Sequence, residues 1–503
     1  MKIDWAAYHA NARPDSLATV DLSTGRRANF RQFSANIDGY CQLLADRGVK
    51  AGDRVGILIM NSSEYLAIVL ACWRSNCVAL TLNFRLSQNE LSYIVGDADP
   101  KLLFVDSELI ELWDAIGQSL DSDLQILVLD VASAQFSPPS SDKSFVVEDD
   151  YSPDRLAMLM YSSGTTGRPK GVRLTHGNIF AGMQNLLITY GMPRHVVSYA
   201  IMPLFHIGSM LGFSLPALFI GGTAVVDRSF DPGRTLATIH DPDLAVTHFL
   251  GLPAIYNALG AHPDVDRTDF SRIQVALASA EPIPEAMLIR WKERGLLVHE
   301  AYGLTETTGI VCAMASEDVK RTVGYAGRES MFCTVRIMAD AGREADPGEA
   351  GEIWAKGRNV MPGYWNSPEN DADAFVDGWF RTGDIGYKTP EGYIKIEGRL
   401  KDMYISGGEN VYPAEVERVL YMMPEIAEVA VVGVPSERWG ESGCAVIVAA
   451  PGTQVTIEAV RSHCAAYLAK FKHPQELVMA QALPRNATGK ILKFKVREML
   501  QLR

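Results

Sequence analysis

Tyr161-Ser-Ser-Gly-Thr-Thr-Gly-Arg-Pro-Lys170-Gly171 follows directly on the apolar, strand-like run Leu156 to Tyr161. Chemistry makes such a loop a candidate phosphate cradle. Gly164, Gly167 and Gly171 let the backbone approach an anion and turn its N–H groups inward. Ser162, Ser163, Thr165 and Thr166 add hydroxyl donors, and Lys170 adds charge. The stretch is not a Walker A loop, because no G-x-x-x-x-G-K-[ST] pattern occurs and Pro169 sits where that motif's helix would begin. Taken alone it also fits a plain surface turn, so its neighbours decide.

Upstream, Phe30, Phe33, Ile37, Tyr40 and Leu44 recur at helical spacing, and Gly48 closes the element. Then come the short apolar run Val55 to Met60, a helical stretch from Glu64 to Trp73, the strand-like Val78 to Leu82, a helix near Leu91, and Leu102 to Val105. Strand–helix alternation of this kind marks a layered α/β fold. It is expected to run to about Glu397, through Thr223 to Val226, Ile273 to Ala278 and Gly351 to Ala355. After Gly398 the units shorten: Glu415 to Met422, Val429 to Val434, Cys444 to Ala450 and a helical Ile457 to Ala469 predict a small α+β domain on a short linker. The expected division is a large, multi-subdomain α/β domain over 1–400 and a small domain over 401–503.

With 503 residues, roughly two to four folded units are expected from length alone. A formal net charge of -13 opposes non-specific attraction to nucleic acid or anionic lipid, so an anion site must be built locally. The seven cysteines are scattered without a C-x-x-C pair, which fits a reducing cytoplasm better than a metal or redox centre. The first residues lack the apolar core of a signal peptide. Residues 200–226 carry no Asp, Glu, Lys or Arg, but Pro203, His206, Gly208, Gly212, Pro216 and Gly221-Gly222 interrupt them. They are expected to be internal loops and short elements rather than a membrane span, with a peripheral membrane contact as the alternative. A homodimer is compatible with all of this.

Four further motifs stand with the loop: Tyr302-Gly-Leu-Thr-Glu306, Trp379-Phe-Arg-Thr-Gly-Asp384, Gly398-Arg-Leu-Lys-Asp-Met-Tyr-Ile-Ser-Gly-Gly-Glu-Asn410 and Pro484-Arg-Asn-Ala-Thr-Gly-Lys490. In wording and order they resemble the adenylate-forming superfamily of acyl-coenzyme A synthetases, peptide-synthetase adenylation domains and beetle luciferases, over nearly the whole chain. The resemblance implies ATP, Mg²⁺ and coenzyme A as reactants and a mobile C-terminal domain. It implies that Thr305 bonds the α-phosphate and Glu306 holds the Mg²⁺, which suits a hard cation's need for a carboxylate. Asp384 would receive the ribose hydroxyls, which a carboxylate accepts and an amide nitrogen cannot. Arg399 would be the second ribose or phosphate contact. Ala280-Glu281-Pro282 and His299 to Tyr302 resemble the adenine site, where the wording departs from the commoner Gly-Ala-Pro.

Lys490 resembles the family's mobile catalytic lysine, a cation that offsets the repulsion between an acid and ATP. Lys401 matches the pivot about which the small domain would rotate, bringing Gly407 and Gly408 to border a pantetheine tunnel; a plain turn is the simpler reading of that pair. His206 in Pro203-Leu-Phe-His-Ile-Gly208 resembles the position beside the acyl carboxylate, where it would orient the acid or gate the tunnel. Met202, Met210, Phe213, Phe249 and Leu250 fit an apolar acyl pocket and fit core packing equally well.

No G-x-S-x-G, H-E-x-x-H or G-x-G-x-x-G occurs, which removes hydrolase and dehydrogenase readings. The expected activity is an ATP-dependent acid–CoA ligase that forms acyl-AMP and pyrophosphate, then acyl-CoA and AMP. A fatty, aryl or alicyclic monocarboxylic acid is the expected substrate, since no spare Arg marks a second carboxylate. A luciferase-like oxidising enzyme and a non-catalytic nucleotide-binding regulator are the competing readings.

Overall fold

The computed structural model describes residues 4–117, 124–133, 135–145, 152–162, 168–279, 283–339, 342–485 and 490–501. The predicted alternation forms two largely parallel sheets. One has six strands in the order Gln125–Leu129, Leu102–Asp106, Arg54–Leu58, Val78–Thr81, Leu156–Ser162, Lys170–Thr175, and only the last pair is antiparallel. The phosphate-loop sequence therefore falls between the two strands of an edge hairpin.

The other sheet has nine strands, with Val298–Leu304, Val275–Ala278, His248–Gly251, Val197–Ala200, Thr223–Val226 and Leu17–Asp21 running parallel through its centre. Most residues of these strands are buried, which accounts for their largely apolar sequence. Helices fill the crossovers. Helix Phe30–Asp46 starts on a capping box between Asn29 and Gln32. Helix Ser63–Arg74 is buried along its whole length between the layers.

The alternation stops earlier than the sequence suggested. From Gly309 to Arg399 the strands are antiparallel, and Cys333–Met338, Gly351–Gly357, Phe375–Val376, Trp379–Lys388 and Ile394–Arg399 form a third sheet. Its signal is a period of two: Cys333, Val335 and Ile337 are buried, while Thr334 and Arg336 face solvent. Beyond it, a five-stranded sheet with its own apolar core packs against helices Pro413–Leu420 and Ile457–Ala465. The second of these ends four residues short of the expected Ala469, because Leu468 turns back into that core.

Residues 200–226 resolve into the end of one strand, three short helical pieces and the strand Thr223–Val226, all but a few of them buried. Among the described residues no helix is long and apolar enough to cross a membrane. All seven cysteines are free and buried.

Candidate active site

The hairpin ends at Ser162 and resumes at Lys170, and these two residues face each other across the antiparallel pair. Ser163, Gly164, Thr165, Thr166 and Gly167 lie outside the described residues, as do Ala280, Glu281 and Pro282. The flanks show where the loop emerges. Ser162 Oγ donates to Glu306 Oε1 at 2.9 Å, and the Tyr364 hydroxyl donates to the same oxygen at 3.3 Å. The Lys170 ammonium stands 5.2 Å from the centre of the Tyr364 ring. Burial, with the Glu306 charge beside it, pushes the Tyr364 phenol well above its ordinary pKa, so it remains a donor.

Glu306 reaches this point because the chain turns sharply. A Cβ on Gly303 would stand 1.9 Å from the Gly309 carbonyl oxygen, so only glycine allows the two strands this close an approach. Between them Thr305–Thr307 make one 3₁₀ turn, held by Thr307 Oγ1, which accepts from the Leu304 N–H, and by Asn359, which donates to the Thr307 carbonyl. Thr305 is half-buried on this turn, next to the buried Glu306.

A second group forms on the third sheet. Antiparallel pairing of Trp379–Lys388 with Ile394–Arg399 sets Asp384 opposite Arg399. Arg399 Nε lies 3.1 Å from Asp384 Oδ1, and the Tyr302 hydroxyl donates to Oδ2 at 2.6 Å. Burial works against the Arg399 charge, yet Asp384, Tyr302 and Glu306 outweigh it, so its pKa sits above the ordinary value. The predicted residues Ser162, Lys170 and Glu306 thus converge, Tyr302, Asp384 and Arg399 converge, and Arg399 feels the charges of both groups.

Two residues before Tyr302, Glu300 accepts from the Gly324 N–H at 2.8 Å, and burial raises its pKa to about 8. It is a neutral carboxylic acid over most of the neutral range. Its mark in the sequence is a single acid inside the strand Val298–Leu304.

His206 caps the first of the short helices after Leu204, and this segment is pinned by Asn61. Asn61 donates to the Met202 and Asp227 carbonyls and accepts from the Leu204 N–H. Burial, reinforced by the Arg85 charge, lowers the His206 pKa to about 3, so the imidazole is neutral at physiological pH. Its Nε2 is buried without a protein partner among the described residues. Past it, Met210–Ser214 form a π-helical turn, an irregularity often found at functional sites. Cβ atoms on Gly208 and Gly212 would meet only Leu250, at 3.9 and 3.2 Å. Met202, Phe213, Phe249 and Leu250 belong to one apolar cluster, within which Phe249 alternates with Leu250 along its strand and packs on Tyr256.

Gly407 and Gly408 both have positive φ, 63° and 88°, and join Ser406 to Glu409 in a two-residue hairpin. That geometry by itself asks for two glycines. Lys401 lies in the 3₁₀ turn Leu400–Asp402, where burial and then Arg399 lower its pKa. Arg497, from the last helix, donates to the Asp402 carbonyl at 3.4 Å. Lys490 stands beside a bridge between Arg485 and Ile491, with neighbours tied to the small sheet's side by Arg485–Glu428 and Lys493–Glu417 ion pairs.

Among the described residues no three His, Cys, Asp or Glu side chains cluster as a metal cage. A single carboxylate beside a phosphate cradle suits a magnesium ion that takes most of its shell from phosphate and water.

The fold is that of an adenylate-forming enzyme. The family models agree: "AMP-binding enzyme" matches residues 6–365, and "AMP-binding enzyme C-terminal domain" matches 415–490. The chain belongs to the AMP-binding enzyme family, among its AMP-forming acid–CoA ligases. It is 36% identical over 493 residues to feruloyl-CoA synthase of Amycolatopsis sp, covering 98% of each chain. It is 33% identical to indoleacetate–CoA ligase of Aromatoleum aromaticum, covering 99% of this chain and 98% of the other. Among solved structures, o-succinylbenzoate CoA synthetase of Bacillus subtilis with its acyl-adenylate intermediate superposes with a TM-score of 0.88 at 29% identity, over 99% and 98% of the two chains. Another structure of that synthetase holds ATP and a magnesium ion.

Proposed function

We propose that this ligase activates an apolar monocarboxylic acid, fatty, aryl or alicyclic, and that its residues divide the work as follows. The hairpin loop and Lys170 receive the phosphates, and Thr305 donates to the α-phosphate. Asp384 accepts the ribose hydroxyls, with Tyr302 and Arg399 fixing its two oxygens. Glu306 holds the magnesium ion, which supplies charge neutralisation along the phosphates. The acid lies past His206, Gly208 and Gly212 against Met202, Phe213 and Leu250. His206, being neutral, can orient the carboxylate by a hydrogen bond and adds no positive charge, so the charge that offsets the attack must come from elsewhere. Lys490 is that cation.

The acid carboxylate attacks the α-phosphorus, pyrophosphate leaves, and the acyl-adenylate remains. The small domain, over 401–503, then turns at Lys401 and brings the Gly407-Gly408 hairpin to the site. The coenzyme A thiolate attacks the acyl carbon and AMP leaves with its electron pair. The observation that carries this reading is the pair of hydrogen bonds from Ser162 and Tyr364 to Glu306, with Lys170 over the Tyr364 ring, beside the Tyr302–Asp384–Arg399 group. The relatives named for feruloyl and indoleacetate substrates support an aryl acid within the class. Incubation with ATP, magnesium, coenzyme A and a mixed acid panel, with mass detection, should yield acyl-CoA and AMP. Acid-dependent light or O₂ consumption without coenzyme A would instead favour an oxidising enzyme, and ATP binding without pyrophosphate release a regulator.

A further inference from the structure

Three polar atoms are buried next to the proposed acyl pocket without a protein partner among the described residues: Tyr190 Oη, His248 Nε2 and His299 Nε2. The residues are 8%, 0% and 2% exposed. They come from three elements, the end of helix His176–Tyr190 and the starts of strands His248–Gly251 and Val298–Leu304. The Tyr190 ring lies 5.5 Å from the His299 ring and 6.2 Å from Phe213, and Phe213 lies 5.3 Å from His248. Phe213 follows Gly212, which faces Leu250, and Leu250 shares a strand face with His248 two residues away. The cluster is thus continuous with the pocket's apolar wall.

The hydrogen-bond partners bear on both tautomers. His248 Nδ1 is 2.8 Å from Thr247 Oγ1, a hydroxyl that also lies 3.1 Å from the Val197 carbonyl; with the hydroxyl proton on that carbonyl, Nδ1–H donates. His299 Nδ1 is 3.3 Å from the Ala276 carbonyl oxygen, which only accepts, so this Nδ1 also carries the proton. His299 Nε2 therefore presents a lone pair, and in that arrangement of the Thr247 proton so does His248 Nε2. Burial first of all holds both imidazoles at a pKa of about 4, so they remain neutral at physiological pH. Buried acceptors without a donor are costly, and among the described residues none stands within hydrogen-bond distance of either Nε2.

We propose that Tyr190, His248 and His299 form a polar end to the acyl pocket, selecting an aromatic monocarboxylic acid with a hydrogen-bond donor remote from its carboxyl group, such as a phenolic hydroxyl or a ring N–H. The proposal rests on the ligase reading and on the course of the acyl group past Gly208 and Gly212. A distal carboxylate would set acceptor against acceptor, and an alkyl end would leave both lone pairs unpaired. Only a donor satisfies them.

Matched acids test this in the full-length enzyme: 4-hydroxycinnamate against cinnamate, and indole-3-acetate against 1-naphthylacetate. The wild type is expected to favour each donor-bearing acid in kcat/KM by about a hundredfold, the scale on which one buried acceptor left unpaired costs binding. In Tyr190→Phe and His299→Phe this ratio should shrink at least tenfold, while kcat/KM for cinnamate rises. Equal rates for the matched acids in the wild type would overturn the proposal. So would variants that lose both acids in parallel, or an acid-bound crystal structure with water on both Nε2 atoms and the acid stopping short. If His299→Phe does not fold, judged by thermal melting, the conservative Tyr190→Phe decides. Absence of ATP–pyrophosphate exchange with every acid would defeat the ligase reading itself, whereas good exchange with plain acids defeats only the polar end.

Discussion

Asp384→Asn changes one oxygen into an amide nitrogen at a site where both oxygens already have work. Asp384 is 4% exposed, with Tyr302 on Oδ2 and Arg399 on Oδ1. If each oxygen also accepts one ribose hydroxyl, the substitution removes one charge-assisted acceptor outright and the charge from the other. At ~1.5–3 kcal/mol for a hydrogen bond to a charged group, ATP binding should weaken by about 2–4 kcal/mol, or roughly 30- to 1000-fold. Breaking a fully buried ion pair costs ~3–5 kcal/mol of stability. Here the Arg399 side chain is 32% exposed and Glu306 remains nearby, so a cost of about 1–2 kcal/mol is expected. The assay is titration calorimetry with ATP and with 2′,3′-dideoxy-ATP on both proteins, alongside thermal melting. The wild type should prefer ATP strongly, and the preference should collapse in the variant while the dideoxy affinity changes little. A variant that weakens both nucleotides equally, or melts lower with ATP binding intact, would refute the ribose assignment and leave Asp384 a structural ion-pair partner.

Two lysines separate the half-reactions. Lys490→Ala should abolish acid-dependent ATP–pyrophosphate exchange yet leave coenzyme A capture of synthetic acyl-AMP largely intact, and Lys401→Pro should do the reverse; loss of the same step in both would rule out rotation at Lys401. Glu306→Gln should lower exchange by a factor of ~100 or more, with a raised magnesium requirement visible in a metal titration; an unchanged requirement would remove Glu306 from the metal. Glu300 carries a sign that can be checked. Its folded pKa of about 8 lies above the ordinary 4.5, so the folded state holds the extra proton and stability falls as pH rises from 4.5 to 8. Glu300→Gln keeps the acceptor for the Gly324 N–H, so it should raise the melting temperature more at pH 8 than at pH 5; an equal shift at both would show that Glu300 titrates normally.

Much of this site is legible in the sequence because its chemistry is local. The loop from Ser162 to Gly171, the Tyr302–Glu306 turn and the Asp384 strand each declare residue types at fixed spacing, whereas the need for glycine at Gly303 shows only once the Gly309 carbonyl is placed against it. What was hidden depends on pairing at long range. Tyr364 meets Glu306 across 58 residues and Asn61 meets Leu204 across 143, and no spacing announces either contact. The antiparallel turn-over after Gly309 was missed because short strands between turns resemble short strands between helices until their partners are known. Phe249 and Leu250 could not be told apart either, since every residue of His248–Gly251 is buried and the period of two is invisible. His248 and His299 look like ordinary core residues until their Nδ1 partners fix which nitrogen is left bare.

The ligation is expected to be AMP-forming and to pass through an enzyme-bound acyl-adenylate. Purified protein with magnesium, ATP, labelled pyrophosphate and an acid panel, first without and then with coenzyme A, tests it most directly. Exchange of label into ATP that depends on the acid and not on coenzyme A, followed by equal yields of AMP and acyl-CoA once coenzyme A is added, is the predicted result. Release of ADP and phosphate, or exchange that requires coenzyme A from the start, would contradict it.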